Sequence, residues 1–442
     1  MRLSLLWHFH QPLYRHAETR EYLLPWVLFH TTKNYHQMAL IAAETEFPCA
    51  FNFVPCLLEQ IADYAEGRAD DRLLKAIRKR PGDLTPDDKE LLRKLAQDEQ
   101  RSDRLQIEAL RACFNPLTAS RGDKDELLEI QENILRGVIP LVRDLGRKGT
   151  VELMTTPYYH PLLPLIFDLG AAGVEAGPEF AFRHPEDGEA QLRNGRAYFE
   201  SVMGAAPAGL WPSEGGLSRD VCRAAARAGF QFAVTDENIL WKSLPEPCRA
   251  EDLFRPYDCE GLTVLFRERE LSDLIGFVYQ KWDERDAVED LARRLSEKAR
   301  ALPEDALCVI ALDGENCWEF YKENGLPFLR RLYERLRTEP GIEPVLFSRT
   351  LALPRPEKPL DLVPGTWLGS FAKWSGHPAK NASWELLARV REACGPSQAV
   401  YAAEGSDWFW WAGEAEQTEF DILFHSYLDK AWRDAGLSGQ PR

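Results

Sequence analysis

The chain has 442 residues, of which 45% are hydrophobic and 28% are charged, and its formal net charge is −16 at pH 7. This composition is typical of a globular protein and excludes collagen, coiled coil and disorder as the main state. An acidic chain repels phosphate backbones, so nucleic acid is not an expected partner. The sequence has no run of about 18 apolar residues, so we predict no membrane-spanning helix.

The nine cysteines are scattered and form no Cys-x-x-Cys pair. Such a set is typical of reduced, mostly buried thiols rather than of a disulfide framework. The first residues combine one basic side chain with a short apolar run and lack a small-residue cleavage site, which predicts a first strand and no signal peptide. We therefore expect a cytoplasmic protein. Its oligomeric state is not readable from the sequence.

Short apolar runs predict buried parallel strands at residues 2–7, 49–54, 151–154, 209–211, 230–234, 262–266 and 307–312. A run at 344–347 is a candidate for one more strand. Helical patterns lie between most of these runs, as at 218–228, 285–301 and 325–337. Alternation of strand and helix indicates the α/β class. About seven strands favour a (β/α)7 barrel, which is an incomplete TIM-like barrel.

Two regions depart from this alternation. Residues 57–148 show helical spacing and dense charge without a strand signal, which predicts a helical insertion between the second and third strands. Residues after about 380 are also helical, and seven of the 13 tryptophans lie after residue 366. The predicted organisation is a barrel over 1–350 containing the insertion 57–148, a stiff proline-rich linker near 353–359, and a tryptophan-rich helical region over 360–442.

Carboxylates follow two of the predicted strands. Catalytic groups of parallel barrels lie at the carboxyl ends of the strands. Glu214 follows the fourth strand, and Asp313 ends the seventh strand beside Gly314. Two such carboxylates are the equipment for cleaving a glycosidic bond. Each position is equally suited to capping a following helix, so the pair alone leaves both interpretations open.

Two histidines follow the first strand, at His8 and His10. Residues at i and i+2 of a strand point to the same side, as in metal hydrolases. A zinc or manganese deacetylase is therefore a competing hypothesis, with Asp313, Glu152 or His160 as further ligands. No second cluster of histidines accompanies them in the sequence, which favours histidines that bind substrate hydroxyls and no metal.

Five blocks of the chain, in this order, resemble glycoside hydrolase family 57, whose members act on α-glucans with retention. The blocks are 8–14 (HFHQPLY), 151–161 (VELMTTPYYHP), 209–214 (GLWPSE), 312–319 (LDGENCWE) and 373–376 (KWSG) with the nearby Trp384. One block is a weak signal, but five in order across most of the chain are specific. The resemblance implies a (β/α)7 barrel with helical additions and no metal or other cofactor in the chemistry.

The resemblance also implies roles for individual residues. Glu214 would be the nucleophile and Asp313 the general acid/base. The expected contacts with sugar are the polar residues His10, Gln11, Glu152, His160 and Glu315 and the stacking residues Trp211, Trp318 and Trp374. Since the last block lies outside the barrel strands, we expect the region 360–442 to close the active site.

The predicted function is a retaining α-glucan hydrolase acting on an α-glucan or maltooligosaccharide. Residues 313–316 (DGEN) and 404–411 (EGSDWFWW) most resemble the amylopullulanase branch, which cleaves α-1,4 and often α-1,6 links. A 4-α-glucanotransferase or glycogen branching enzyme would use the same carboxylates and stays an alternative. A metal-dependent deacetylase and a non-catalytic glucan-binding protein are the remaining alternatives. The sequence leaves linkage preference, thermal range and physiological glucan open.

Overall fold

The computed structural model describes residues 1–97, 121–173, 177–414 and 418–441. Its strands are β1 Arg2–Phe9, β2 Glu21–Tyr22, β3 Cys49–Phe53, β4 Asp70–Asp71, β5 Val151–Thr155, β6 Gly209–Leu210, β7 Phe232–Asp236, β8 Tyr257–Cys259, β9 Leu262–Arg267, β10 Leu307–Asp313 and β11 Glu343–Pro344. The central sheet has the order β10-β1-β3-β5-β6-β7-β9, and all of these neighbours are parallel. β8 is antiparallel to β9, and β11 pairs with β1. The predicted seven parallel strands are confirmed.

The two edges of this sheet, β9 and β10, meet without a strand ladder among the residues that the structure describes. Single hydrogen bonds join them instead. The backbone N–H of Glu268 donates to the Val309 carbonyl at 2.7 Å, and the Ala311 N–H donates to the Ser272 hydroxyl at 3.2 Å. The fold is therefore an incomplete (β/α)7 barrel, with the carboxyl ends of its strands on one rim.

The barrel interior changes from apolar to polar along the strands. Leu6, Met154, Phe232 and Val309 belong to an inner apolar cluster, and Phe347 closes the lower end by stacking on Phe232 at 5.7 Å between ring centroids. Because strand residues alternate in direction, the next inward positions share the same face. These positions are polar: His8, Asn52, Thr156, Asp236, Arg267 and Asp313. A polar chamber thus lies above an apolar floor.

Helices surround this sheet and form the two additional regions. They are Trp26–His30, His36–Thr45, Pro55–Ala65, Arg72–Arg78, Pro86–Gln97, Arg121–Lys148, Leu163–Phe167, Pro185–Met203, Arg219–Arg227, Glu237–Ser243, Arg269–Asp273, Glu284–Ala301, Leu326–Arg337, Pro378–Cys394, Gln398–Ala403, Ser406–Trp411 and Thr418–Asp434. Within the described ranges, no helix is both long and apolar enough to cross a membrane.

The region predicted as a helical insertion, 57–148, contains four of these helices and one short strand. Residues 98–120 of the predicted insertion lie outside the described residues. β4 pairs in parallel with β2, although no strand was predicted there. Asp71 explains this difference, because its carboxylate accepts the Leu74 N–H at 3.0 Å and caps the next helix. A capping residue keeps an extended backbone, which here reaches a neighbouring chain segment.

Candidate active site

Glu214 lies in the short turn that follows β6. Its backbone has φ 59° and ψ 23°, in the left-handed region that residues with a side chain rarely adopt. The Trp367 N–H donates to the Glu214 carbonyl at 3.1 Å and holds this conformation. Strained backbone of this kind clusters at functional sites. The turn places a largely buried carboxylate, 15% exposed, at the barrel mouth.

Both oxygens of the Glu214 carboxylate accept side-chain hydrogen bonds. Trp367 Nε1 donates to Oε2 at 3.0 Å, and the Ser406 hydroxyl donates to Oε1 at 3.1 Å. His160 Nδ1 lies 3.0 Å from the Ser406 oxygen and donates to it. A relay from His160 through Ser406 therefore fixes the orientation of the carboxylate.

The charge state of Glu214 is finely balanced. Burial raises the pKa of Glu214 to about 7, and the nearby charges of Asp407 and Asp313 act in the same direction. The hydrogen bond from Trp367 and the charge of His10 lower this pKa. The Glu214 carboxyl group is thus partly ionised at neutral pH and loses its charge in acid.

This balance predicts the acid side of the pH profile. kcat/KM should fall about tenfold per pH unit below pH 7 as Glu214 takes up a proton. Trp367→Phe removes one donor to the carboxylate, so the midpoint should move upward by about one pH unit. Trp432→Phe, on the C-terminal helix, is the control. A midpoint below pH 5 in the unmodified protein, or the same midpoint in Trp367→Phe, would contradict this account.

Asp313 ends β10 and is exposed at the same rim. It pairs in register with His8, and the following Gly314 N–H donates to the His8 carbonyl at 2.8 Å. A Cβ atom at Gly314 would lie 2.1 Å from the Phe9 ring, so this turn requires glycine. Because the charge of Asp313 contributes to the pKa of Glu214, the two carboxylates share one electrostatic environment.

Three imidazole rings form one wall of the chamber. His10 and His160 stack with centroids 3.7 Å apart, and His8 lies 5.9 Å and 5.4 Å from them. His10 Nε2 donates to both oxygens of Asp407 at 3.0 Å. His8 Nδ1 donates to the Asn52 side-chain oxygen at 2.7 Å. The structure therefore confirms that His8 and His10 point to the same side.

The three histidines differ in charge. Burial opposes a charge on His10, but the Asp407 carboxylate beside it raises its pKa. Burial lowers the pKa of His8 to about 3, and burial also holds the pKa of His160 well below its usual value. Among these three histidines, His10 is thus the one whose pKa is raised. Its positive charge lowers the pKa of the nearby Glu214.

The nearest candidate for a metal site is His10, His160 and Asp407, whose ligand atoms lie within 4.8 Å of one another. The two imidazole planes are only 16° from parallel and 3.7 Å apart at their centroids. Imidazole binds a metal along its own ring plane, at about 2.0–2.1 Å for zinc. Two stacked rings direct their lone pairs along parallel lines that do not meet, so this geometry does not favour a metal. The absence of a metal stays a prediction.

Glu315 supports the site from behind. Its Oε1 accepts the His10 backbone N–H at 2.9 Å and the Tyr35 hydroxyl at 2.6 Å. Burial, together with the charge of Asp313, raises the pKa of Glu315 well above its usual value. Glu315, which was predicted to contact sugar, is thus a buried carboxyl group that holds the turn carrying His10.

Two other predicted polar contacts lie away from the histidine wall. The buried Gln11 accepts the Tyr14 hydroxyl at 2.9 Å. Glu152 accepts the Ser348 N–H at 3.0 Å and 3.2 Å through its two oxygens. It stands near the start of β5, about 13 Å along the strand from Thr156 at the rim. The structure brings neither side chain to Glu214.

The predicted stacking tryptophans are buried. Trp318 is 1% exposed and Trp374 is fully buried, and both belong to the main apolar core. Trp211 is buried against His8, with 5.7 Å between the two ring centroids. Trp374 packs edge-on against Trp410, which connects it to the C-terminal region. All three rings therefore have little surface exposed to solvent, and a role in stacking on sugar stays a prediction.

The direct partners of Glu214, His10 and His8 were not predicted from the sequence; they are Trp367, Ser406, Asp407 and Asn52. Ser406 and Asp407 lie in the segment 404–411, which resembles the family. That resemblance was the one indication in the sequence that these two residues belong to the site. Asn52 lies near the end of β3 with its side chain directed inward, and its polarity is the one signal that the sequence offers.

The comparisons with known proteins agree on one family. The sequence model described as Glycosyl hydrolase family 57 matches residues 4–362. An α-amylase of Pyrococcus horikoshii is 25% identical over 260 residues, which are 58% of this chain and 37% of that relative. The match thus spans little more than a third of the relative's length.

Solved structures show the same fold. A GH57 branching enzyme from Thermococcus kodakaraensis has a TM-score of 0.68 at 17% identity, covering 98% of this chain and 89% of the other. A 4-alpha-glucanotransferase from Thermococcus litoralis has a TM-score of 0.62 at 17% identity, covering 98% and 60%. At these identities the likeness shows the fold alone.

Proposed function

Because the chain belongs to glycosyl hydrolase family 57, we propose that it hydrolyses the α-glucosidic bonds of an α-glucan with retention, using Glu214 and Asp313. One observation carries this proposal. The Glu214 carboxylate is held in a strained turn by Trp367 and Ser406, within the electrostatic reach of Asp313. A carboxylate fixed in this way is suited to attack at a single position.

The proposed reaction has two steps. In the first, Glu214 attacks the anomeric carbon, the glycosidic C–O bond breaks, and its electron pair stays on the leaving oxygen, which takes a proton from Asp313. In the second, Asp313 removes a proton from water, and the resulting oxygen attacks the same carbon and releases Glu214. The two inversions together give retention. We predict that the two carboxyl groups lie about 5–5.5 Å apart, as this mechanism requires.

The chamber offers hydrogen-bonding groups suited to a polyhydroxylated ligand. Among the described residues, four buried polar atoms have no partner: His10 Nδ1 and His160 Nε2 of the histidine wall, Nδ2 of Asn52, which binds His8, and Oγ1 of Thr156, which follows β5. Unpaired buried polar atoms are costly unless a ligand or water satisfies them. The hydroxyl groups of a sugar ring both donate and accept hydrogen bonds, so they can pair with these protein donors and acceptors. These atoms support an α-glucan unit as the ligand.

The C-terminal region contributes to the proposed chamber through Ser406 and Asp407, which contact Glu214 and His10. Trp367, between the barrel and these helices, contacts Glu214 from the other side. We propose that the region 360–442 closes the active site over the barrel mouth. The same region carries the resemblance to the amylopullulanase branch, so cleavage of α-1,6 links is a further proposal. A cytoplasmic location also stays a prediction.

A 4-α-glucanotransferase or branching enzyme is the second candidate. The fold of this chain is similar to that of a branching enzyme over 98% of its length and to that of a glucanotransferase over the same share. These activities use the same covalent intermediate and differ in whether water or a sugar hydroxyl resolves it. Loop shape and water access decide this partition, and the two carboxylates are common to both outcomes.

Product analysis on maltopentaose, pullulan and glycogen tests the proposal. We expect products shorter than maltopentaose, together with new reducing ends. Glu214→Ala serves as the control for contaminating activity. Products longer than maltopentaose would replace hydrolysis by glucan transfer, and new α-1,6 branches without reducing ends would indicate branching. Binding of glycogen without any product would contradict an enzymatic role.

A further inference from the structure

Glu404 is fully buried two residues before Ser406. Its Oε2 accepts the Gln191 side-chain N–H at 2.6 Å. Its Oε1 has no hydrogen-bond donor among the residues that the structure describes. Asp187, which is also fully buried, lies one helical turn before Gln191 on the helix Pro185–Met203, and this places its carboxylate on the side of Gln191 that faces Glu404. Two buried carboxyl groups in contact are stable only if a proton or a cation compensates them.

The neighbouring cation is already engaged. Arg391 donates to both oxygens of Asp187, at 2.5 Å and 2.9 Å, and to Glu186 at 3.0 Å. The other titratable groups at this cluster are His184, whose Nδ1 lies 3.0 Å from Glu186 Oε1, Arg193 near Tyr401, and Tyr401 itself, whose hydroxyl adds no positive charge. The Arg391 guanidinium therefore already binds two carboxylates, those of Asp187 and Glu186, and an ionised Glu404 would add a third negative charge. A proton on Glu404 Oε1 removes the third charge and turns the unpaired oxygen into a donor towards Asp187. Burial and the charge of Asp187 also raise the pKa of Glu404 well above its usual value.

The chain after Glu404 enters the candidate active site directly. Gly405 bridges to Pro161, and the Ser406 N–H donates to the His160 carbonyl at 3.0 Å. A Cβ atom at Gly405 would lie 3.0 Å from the Tyr159 carbonyl oxygen, so the two segments are in close contact.

Gln191 joins the same structures from the barrel side. Its amide oxygen accepts the Tyr159 N–H at 3.1 Å, while its amide N–H groups donate to Glu404 and to the Tyr401 carbonyl. The buried cluster therefore fixes both the segment that carries His160 and the segment that carries Ser406.

We infer that Glu404 is a positioning residue that, as a neutral acid hydrogen-bonded to Asp187 and Gln191, docks the segment 404–407 so that Ser406 orients Glu214. This inference rests on the proposed role of Glu214 as the nucleophile. Glu404 touches no reacting atom, so it acts through Ser406.

The pH dependence of unfolding tests the protonation state without any substrate. An unfolded Glu ionises near pH 4.3, whereas Glu404 in the folded protein keeps its proton. The stabilising contribution of Glu404 is complete below that pH and declines as the pH rises towards the folded-state pKa. Glu404→Gln cannot ionise, so its folding equilibrium constant relative to the parent should rise about tenfold per pH unit from pH 5 to pH 6. Glu392→Gln removes an exposed carboxylate and controls for net charge. A constant ratio between pH 5 and pH 6 would overturn the neutral acid.

Activity tests the positioning role. Gln mimics a protonated Glu, donating to Asp187 and accepting from Gln191, so Glu404→Gln should keep kcat within about threefold on maltopentaose. Glu404→Ala should lose at least about tenfold in kcat with little change in KM, because Ser406 is misplaced while the rest of the chamber stays. If the alanine variant fails to fold, Glu404→Asp replaces it, since its shorter side chain cannot span both partners.

The outcomes separate this inference from the proposed function. A parent protein without glucan turnover would contradict the proposed function, while the unfolding experiment would still decide the protonation state of Glu404. A parent with turnover, joined to a folded Glu404→Ala that retains full kcat, would overturn the positioning role. A tenfold loss in Glu404→Gln as well would show that a charge is required there, which contradicts the inference.

Discussion

Replacing Glu214 with alanine should abolish α-glucan turnover, with a loss of at least about 10⁴-fold in kcat. The variant removes the carboxylate that Trp367 and Ser406 orient, so we expect that no covalent intermediate forms. Azide should restore part of the rate, since it fits the vacated space and attacks the same carbon. An activated donor such as α-maltosyl fluoride is the suitable substrate for this measurement.

Two controls show whether a loss of activity in Glu214→Ala is specific to this carboxylate and is not caused by unfolding. Glu392→Ala removes an exposed carboxylate and should leave kcat unchanged. The folded state of Glu214→Ala should be checked by its thermal transition, because removing a buried and partly charged group relieves desolvation and does not open the core. A folded Glu214→Ala variant with full activity would remove this residue from the mechanism.

Replacing Asp313 with alanine should lower kcat on natural glucans by about 10²–10⁴-fold, the usual contribution of a general acid/base. Natural glucans have poor leaving groups that need protonation, whereas activated aryl glycosides should still form the intermediate. With aryl glycosides and azide, Asp313→Ala should yield a glycosyl azide of retained configuration. The thermal transition of Asp313→Ala should be measured beside its activity, so that a loss of catalysis is distinguished from a loss of folding.

Substrate dependence is the decisive readout for Asp313. Equal losses on maltopentaose and on an aryl α-maltoside would mean that protonation of the leaving group is not its role. Glu319→Ala, on the same connection after β10, is a matched control for the removal of a nearby carboxylate. A loss in that control similar to the loss in Asp313→Ala would assign the effect to the loop as a whole.

The positions that follow strands were predictable from the sequence. Apolar runs predict buried strands, and the residues that follow parallel strands lie at one rim of the barrel. His10, Glu214 and Asp313 could therefore be predicted to lie at the same rim. Glu152 differs because it precedes the end of its strand, and a change of three or four residues along β5 moves a side chain by more than 10 Å. A residue is predicted to lie at the active-site rim when it follows the end of a strand, and not merely when it belongs to the strand.

The partners of the site were not predictable in the same way. Trp367 and Ser406 contact Glu214 across 153 and 192 residues of sequence, and Asp407 contacts His10 across 397. Composition and spacing describe local structure, and these contacts exist only once the C-terminal helices pack on the barrel. The burial of Trp318 in the main core was also not readable from its motif block, because an aromatic residue in such a block can pack in the core or bind a ligand.

The configuration of the glycosyl azide formed by Glu214→Ala tests the central claim most directly. Azide entering the space of Glu214 attacks from the face opposite the leaving group, so an α-linked donor should give the β-glycosyl azide by NMR. An α-glycosyl azide would contradict the account, because it would show that Glu214 is not the nucleophile and that another carboxylate forms the intermediate.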